Sequence, residues 1–237
     1  MSPLTYTTPP APRILGRLVA RLRDEGGGSS AFVLAGDALA TTRLGCGRAP
    51  LDDDALELAD AMSGALLEVD VQAHRADPDG RVRVAIATAI LSFARPRLAR
   101  SADGWVDAWT GPGLGAAGRM SDPVALAARA LFALRRGDLS DAASAADRLA
   151  EIDGDAIAGA IHDWAVARVQ GHGAEREASC FEHLVLDLGG RHPALVLVAA
   201  SVWARQAGLD PATALQRLTD RFDSRGFRRA RRRDTGT

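Results

Sequence analysis

"LEVDVQAHRADPDGRVRVAIATAILSFA", residues 67–94, admits two readings, and the fold class turns on which one holds. Val69 and Val71 alternate with polar residues, as do Val82, Val84 and Ile86, and Asp77-Pro78-Asp79-Gly80 sits between them as a turn would. Alternation at period two around a turn is the pattern of a β-hairpin. Yet Val82, Ala85, Ile86, Ala89, Ile90 and Phe93 also fall on one face at helical spacing. The helical run is the longer, so the stretch is predicted to form two helices and the chain to be all-α. The alternative is an α+β chain with a small β-hairpin near 67–88.

Composition leans the same way. Apolar residues make up 47% of the 237 positions and aromatic ones only 5%, with Ala and Leu supplying much of the apolar count. That mixture favours helices, and the length allows a sizeable core without staples. All 29 basic residues are Arg, as a GC-rich bacterial genome would impose; selection for bidentate anion contacts is the competing explanation. Cys46 and Cys180 form no C-x-x-C pair, which fits a reducing cytoplasm. The start, MSPLTYTTPPAPR, lacks the charged-then-apolar order of a secretory signal. The longest apolar run, "PALVLVAASVWA" (193–204), is too short to span a bilayer and is predicted to be a buried helix. No membrane association is expected.

Working outward, residues 1–11 are Pro- and Thr-rich and expected to be a disordered tail. Residues 12–109 form an N-terminal helical region. Its first helix is marked by Ile14, Leu15, Leu18, Val19 and Leu22, and "GGGSS" (26–30) is a flexible break after it. "AFVLAGDALATTRLG" (31–45) leans to helix. Ala55, Leu58, Ala59, Met62, Leu66 and Val69 mark another helix, which opens on the carboxylates of Asp52, Asp53, Asp54, Glu57 and Asp60. Those acids suit a helix dipole; one helix turn cannot surround a cation.

Residues 110–121 form a Gly-rich linker. Within "TGPGLGAAGR" (110–119), Gly113, Gly115 and Gly118 have the spacing of a dinucleotide fingerprint. The fingerprint requires a strand before it and an acidic strand end about twenty residues later. "GWVDAW" before it reads at most as a helical turn, and "GDLSDAASAA" follows, so a joint between two helical halves is expected.

Residues 122–222 show a regular pattern. Asp122-Pro123 and Asp210-Pro211 are cap-and-first-turn pairs. Helices are predicted near 123–136, 139–151, 155–170, 174–188 and 193–207. Gly137, Gly173 and Gly208 lie 36 and 35 residues apart, each expected to end a helix, with Ala142, Ala178 and Ala214 following in the next. The unit with Ala130, Gly137-Asp138-Leu139 and Ala142 resembles a tetratricopeptide repeat, although Arg129 and Ala146 stand where large apolar residues are usual. The resemblance implies stacked helical hairpins whose concave face binds peptides or proteins without catalysis. An irregular bundle of hairpins of similar length is the alternative.

Few residues announce chemistry. His74, His162, His172, His183 and His192 have no metal-ligand spacing. Cys180 and His183 share a helix face at i,i+3, as a nucleophile pair would, though an inert buried Cys is the expected reading. Trp105 and Trp109, at i,i+4, suit either a ligand platform or the covering of a neighbouring helix. No cofactor or metal is called for. From Arg217 to Thr237 eight Arg outweigh three Asp, a net +5, so the remainder carries −6. Residues 223–237 are therefore an Arg-rich tail, in which Arg228, Arg229, Arg231, Arg232 and Arg233 are candidate contacts to nucleic acid or another anion. The expected function is a non-catalytic protein–protein interaction or regulatory module, acting on another protein or on itself. A nucleic-acid-associated protein using the tail is the alternative.

Overall fold

The structure, a computed structural model, describes residues 10–24, 29–46, 49–68, 77–111, 115–171, 174–188, 192–217 and 219–220. Among the described residues every regular element is helical. In order these are α1 (Pro12–Asp24), α2 (Ser29–Cys46), α3 (Asp53–Leu66), α4 (Pro78–Ala94), α5 (Ala99–Thr110), α6 (Pro123–Arg136), α7 (Leu139–Asp153), α8 (Asp155–Val169), α9 (Ala174–Leu188) and α10 (Pro193–Ala207). Short 3-10 turns precede α5 and α6, and residues 211–217 are helical as well.

From Pro78 to Ala94 the deciding stretch is helical; residues 69–76 lie outside the described residues. Asp77 caps α4, its Oδ1 accepting from the Gly80 N–H at 2.9 Å, and Pro78 stands in the first turn. What resembles a turn is thus the same Asp-Pro opening used at Asp122-Pro123. The helix stops at Arg95, whose backbone turns extended (φ −131°, ψ 82°) ahead of Pro96. Val82, Val84 and Ile86 are all buried although they point to different sides, because α4 lies inside the molecule and is covered all round. Alternation here reflects burial on every face. Val69 and Val71 lie outside the described residues.

α4, α6 and α10 form the centre. Residues 81–94, 125–135 and 194–202 are buried almost without a break, and α10 packs against α2, α4, α6 and α9. α1, α2 and α3 pack on one another, with α2 and α3 also against α4, while α7, α8 and α9 follow one another beyond α6. One hydrophobic cluster runs from Leu15 to Leu215. α2 approaches α4 at Gly36, where an added Cβ would lie 2.6 Å from the Cβ of Ala87. Only glycine permits that crossing.

Local rules set the boundaries of the second half. Asp122 and Asp138 cap α6 and α7, accepting from the N–H groups of Val124 and Asp141 at 2.9 and 3.0 Å. Gly137 and Gly208 close α6 and α10 in the left-handed conformation (φ 79° and 64°). The middle glycine of the expected series, Gly173, falls outside the described residues. α8 ends at Val169 and Gly171, two residues before it, takes a positive φ.

Of the residues that mark α1, Leu15, Val19 and Leu22 are buried and Ile14 is 49% exposed. Two expectations change. "GWVDAW" belongs to a full helix, α5, rather than a single turn. Arg129, at a position where repeats carry an apolar residue, is buried. Its guanidinium donates to Asp141 Oδ1 at 2.6 and 3.0 Å and to the Gly115 carbonyl at 2.8 Å. Ala117 and Met120 are buried beside it, so the described part of the Gly-rich segment is fastened to α6 and α7.

Candidate functional site

α8 is apolar on more faces than it buries. Ile157, Ala158, Ile161, Trp164 and Ala165 turn inward, leaving Ala156, Gly159, Ala160, Asp163 and Val166 on an outer stripe at i, i+3, i+4 spacing. Val166 and Val169 are 47% and 67% exposed. α9 buries Phe181, Leu184, Val185 and Leu188, and sets Arg176, Ser179, Cys180 and His183 toward the α8 stripe. Aromatic packing holds the two helices in place. Trp164 meets Phe181 at 5.6 Å between ring centres, and Phe181 stacks on Trp203 of α10 at 5.1 Å. The indole N–H of Trp164 reaches Glu177 Oε2 at 3.5 Å.

Between the two helices lies a cleft of about 440 Å³, floored by Ala156, Gly159 and Ala160. Asp163 edges it on one wall and Arg176, Ser179 and His183 on the other. None of these four side chains makes a hydrogen bond or ion pair among the described residues. Cys180 opens onto the cleft from a buried position. Burial pushes its thiol up; Arg176 pulls the other way, and Asp163 and Glu177 add to the rise. The thiol is therefore held protonated, and no hydrogen bond joins it to His183 among the described residues. A nucleophile pair needs the thiolate. Cys180 and His183 share a face at the cleft, with burial holding the thiol toward its protonated form.

The other candidates resolve into structure. Trp109 is fully buried and Trp105 packs against the core, so the pair covers neighbouring helices. Of the acidic helix start, Asp52 caps α3, Glu57 pairs with Arg23 at 2.9 Å, and Asp60 pairs with Arg95 at 2.6 Å. Arg95 holds the Asp60 carboxyl below its ordinary range. His162 Nε2 lies 3.0 Å from Asp147 Oδ1 and turns away from its chain neighbour Asp163. Among the described residues no group of His, Cys, Asp or Glu is placed to hold a metal ion. No described helix is long and apolar enough to cross a membrane. Gly118 lies in a 3-10 turn, and the described segment ahead of the motif is helix α5 where a dinucleotide fingerprint needs a strand. His74, His172 and Arg228, Arg229, Arg231, Arg232 and Arg233 lie outside the described residues.

A second charged cluster, unmarked in the sequence, sits where α2, α4, α6 and α10 meet. Arg83 donates through Nε and Nη2 to the two carboxylate oxygens of Asp122 at 2.5 and 2.9 Å. Asp79 Oδ2 accepts from the Ser121 N–H and hydroxyl at 3.1 and 3.2 Å. Together they tie the start of α6 to α4. The half-buried Asp37 carboxyl nearby is pushed above its ordinary range, chiefly by burial, with Arg83 and His192 lowering it and Asp122 raising it. No known protein family, curated protein or solved structure matches the chain.

The sequence expectations include neither the small-residue stripe Ala156, Gly159, Ala160 nor Val166 and Val169, although their i, i+3, i+4 spacing is there to find. What that spacing lacks is the pairing of α8 with α9, which brings Arg176 and Ser179 opposite Asp163.

Proposed function

We propose that the protein is a non-catalytic interaction module whose docking surface is the outer face of the α8–α9 hairpin. One observation carries this reading: α8 leaves Val166 and Val169 in solvent beside a cleft edged by unpartnered polar groups. A helix that is apolar all round is ordinarily covered, and exposed apolar groups rimmed by polar ones mark interaction surfaces. Asp163, Arg176 and His183 on its walls are exposed, which suits a protein surface better than a small molecule that must be largely enclosed. The protonated Cys180 thiol argues against covalent catalysis there. The tetratricopeptide-like unit near Gly137 and a cytoplasmic setting are consistent with this role and remain part of the proposal.

The test is a capture experiment with the full chain and a variant carrying Val166→Glu and Val169→Glu. Both positions are exposed, so the variant keeps its fold, and loss of the retained partner is the expected result. Unchanged retention would refute the assignment of this face. The second reading, nucleic-acid association, rests on the net +5 of residues 217–237. It requires DNA or RNA affinity that falls with salt and disappears on removal of residues 224–237. A chain without that tail that still retrieves its protein partner separates the two readings.

A further inference from the structure

We infer that the occupant of the α8–α9 face is a second copy of this chain, joined about a two-fold axis; the inference rests on the docking surface proposed above. Asp163 on α8 and Arg176 on α9 edge the same cleft from opposite walls, and neither has an ion-pair partner among the described residues. Elsewhere the chain satisfies its guanidinium groups repeatedly: Arg83, Arg95, Arg129, Arg135 and Arg148 all hold carboxylates. In a two-fold interface, residue i meets residue j of the other copy and j meets i. Among the described residues this face offers one open carboxylate and one open guanidinium, and it is therefore complementary to itself. Each axis closes two Asp163–Arg176 pairs, whereas a face of single sign would set like against like.

The surroundings suit this occupant. Ala156, Gly159 and Ala160 leave room for a helix to approach closely, and Val166 and Val169 supply apolar area at the rim of the same stripe. The formal charge of −1 leaves little long-range repulsion between copies. The polar rim sets register, and the valines and small residues supply the contact.

Sedimentation equilibrium across a concentration series tests this on the full chain. The proteins are wild type, Asp163→Arg, Arg176→Asp, and the double variant with both exchanges. Wild type is expected to dimerise. Each single reversal sets like charges opposite one another and weakens the dimer about tenfold or more, and the double exchange restores it. Thermal melts of the variants match wild type if both side chains are as exposed as the structure has them. A wild type that stays monomeric overturns the inference, and so does a double variant as weak as the singles. Were wild type monomeric while the Val166→Glu, Val169→Glu chain loses a captured protein, the second copy would be wrong and the docking face would stand. A monomer that captures nothing through this face sinks both.

Discussion

Arg135 offers the sharpest test of how this fold carries its charge. Its side chain is 1% exposed, yet its partners Asp103 and Asp107 on α5 are 50% and 38% exposed. Nη1 meets Asp103 Oδ1 at 2.7 Å, Nη2 meets Asp107 Oδ1 at 2.6 Å, and the guanidinium lies 5.8 Å from the centre of the Phe132 ring. The two sides of this ion pair should therefore respond unequally. Asp103→Asn with Asp107→Asn strands a buried cation, which costs about 3–5 kcal/mol. Arg135→Met removes the buried charge and keeps aliphatic packing on Phe132. The two carboxylates then hydrate where they stand, and Arg205 remains 3.6 Å from Asp107. That change should cost less than about 1.5 kcal/mol. At roughly 2–4 °C per kcal/mol for a chain of this size, the double Asn variant should melt about 6–20 °C below wild type. Arg135→Met should stay within about 6 °C. Calorimetry or a circular-dichroism melt reads both. An Arg135→Met loss equal to that of the double variant would refute the argument from unequal exposure.

Gly36→Ala forces a Cβ to within 2.6 Å of the Ala87 Cβ, so denaturant titration should show a loss of about 1–3 kcal/mol despite better helix propensity. Adding Ala87→Gly should recover only part of the loss, because the new Cβ still lies 2.9 Å from the Ala87 Cα. Gly137→Ala puts a side chain at φ 79° and should cost about 1–2 kcal/mol, read as a lower denaturation midpoint. Asp37 binds its proton more tightly folded than unfolded, so its effect on stability is most favourable below the ordinary carboxylate pKa. That benefit is lost as pH rises through the elevated folded value. Asp37→Asn should thus gain on wild type between acid and neutral pH, and a stability difference that does not vary with pH would contradict the burial argument. Iodoacetamide at neutral pH should label Cys180 slowly in the native chain and rapidly once it is unfolded, with peptide mass spectrometry counting the adduct.

Helix ends in the second half were legible because their chemistry is local. An Asp that reaches its own first turn and a Gly that accepts positive φ announce themselves without reference to the rest of the chain: Asp122 and Gly137 bound α6, Asp138 opens α7 and Gly208 closes α10. α5 has no such marker: Leu98 stands at its start with no side-chain cap, and the helix is held by packing of Val106 and Trp109. α4 obscured itself differently, since burial on every side erases the one-face periodicity that separates helix from strand. The same loss hides the buried cations. An Arg in a helix reads as a solvent-facing residue, and only contact with Asp141, or with Asp103 and Asp107, makes burial of Arg129 and Arg135 tolerable. Those partners lie 12, 32 and 28 positions away on other helices. The candidate site follows the same logic, because neither Asp163 nor Arg176 is unusual on its own helix. Their meaning lies in facing the same cleft from opposite walls, with no ion pair to either among the described residues.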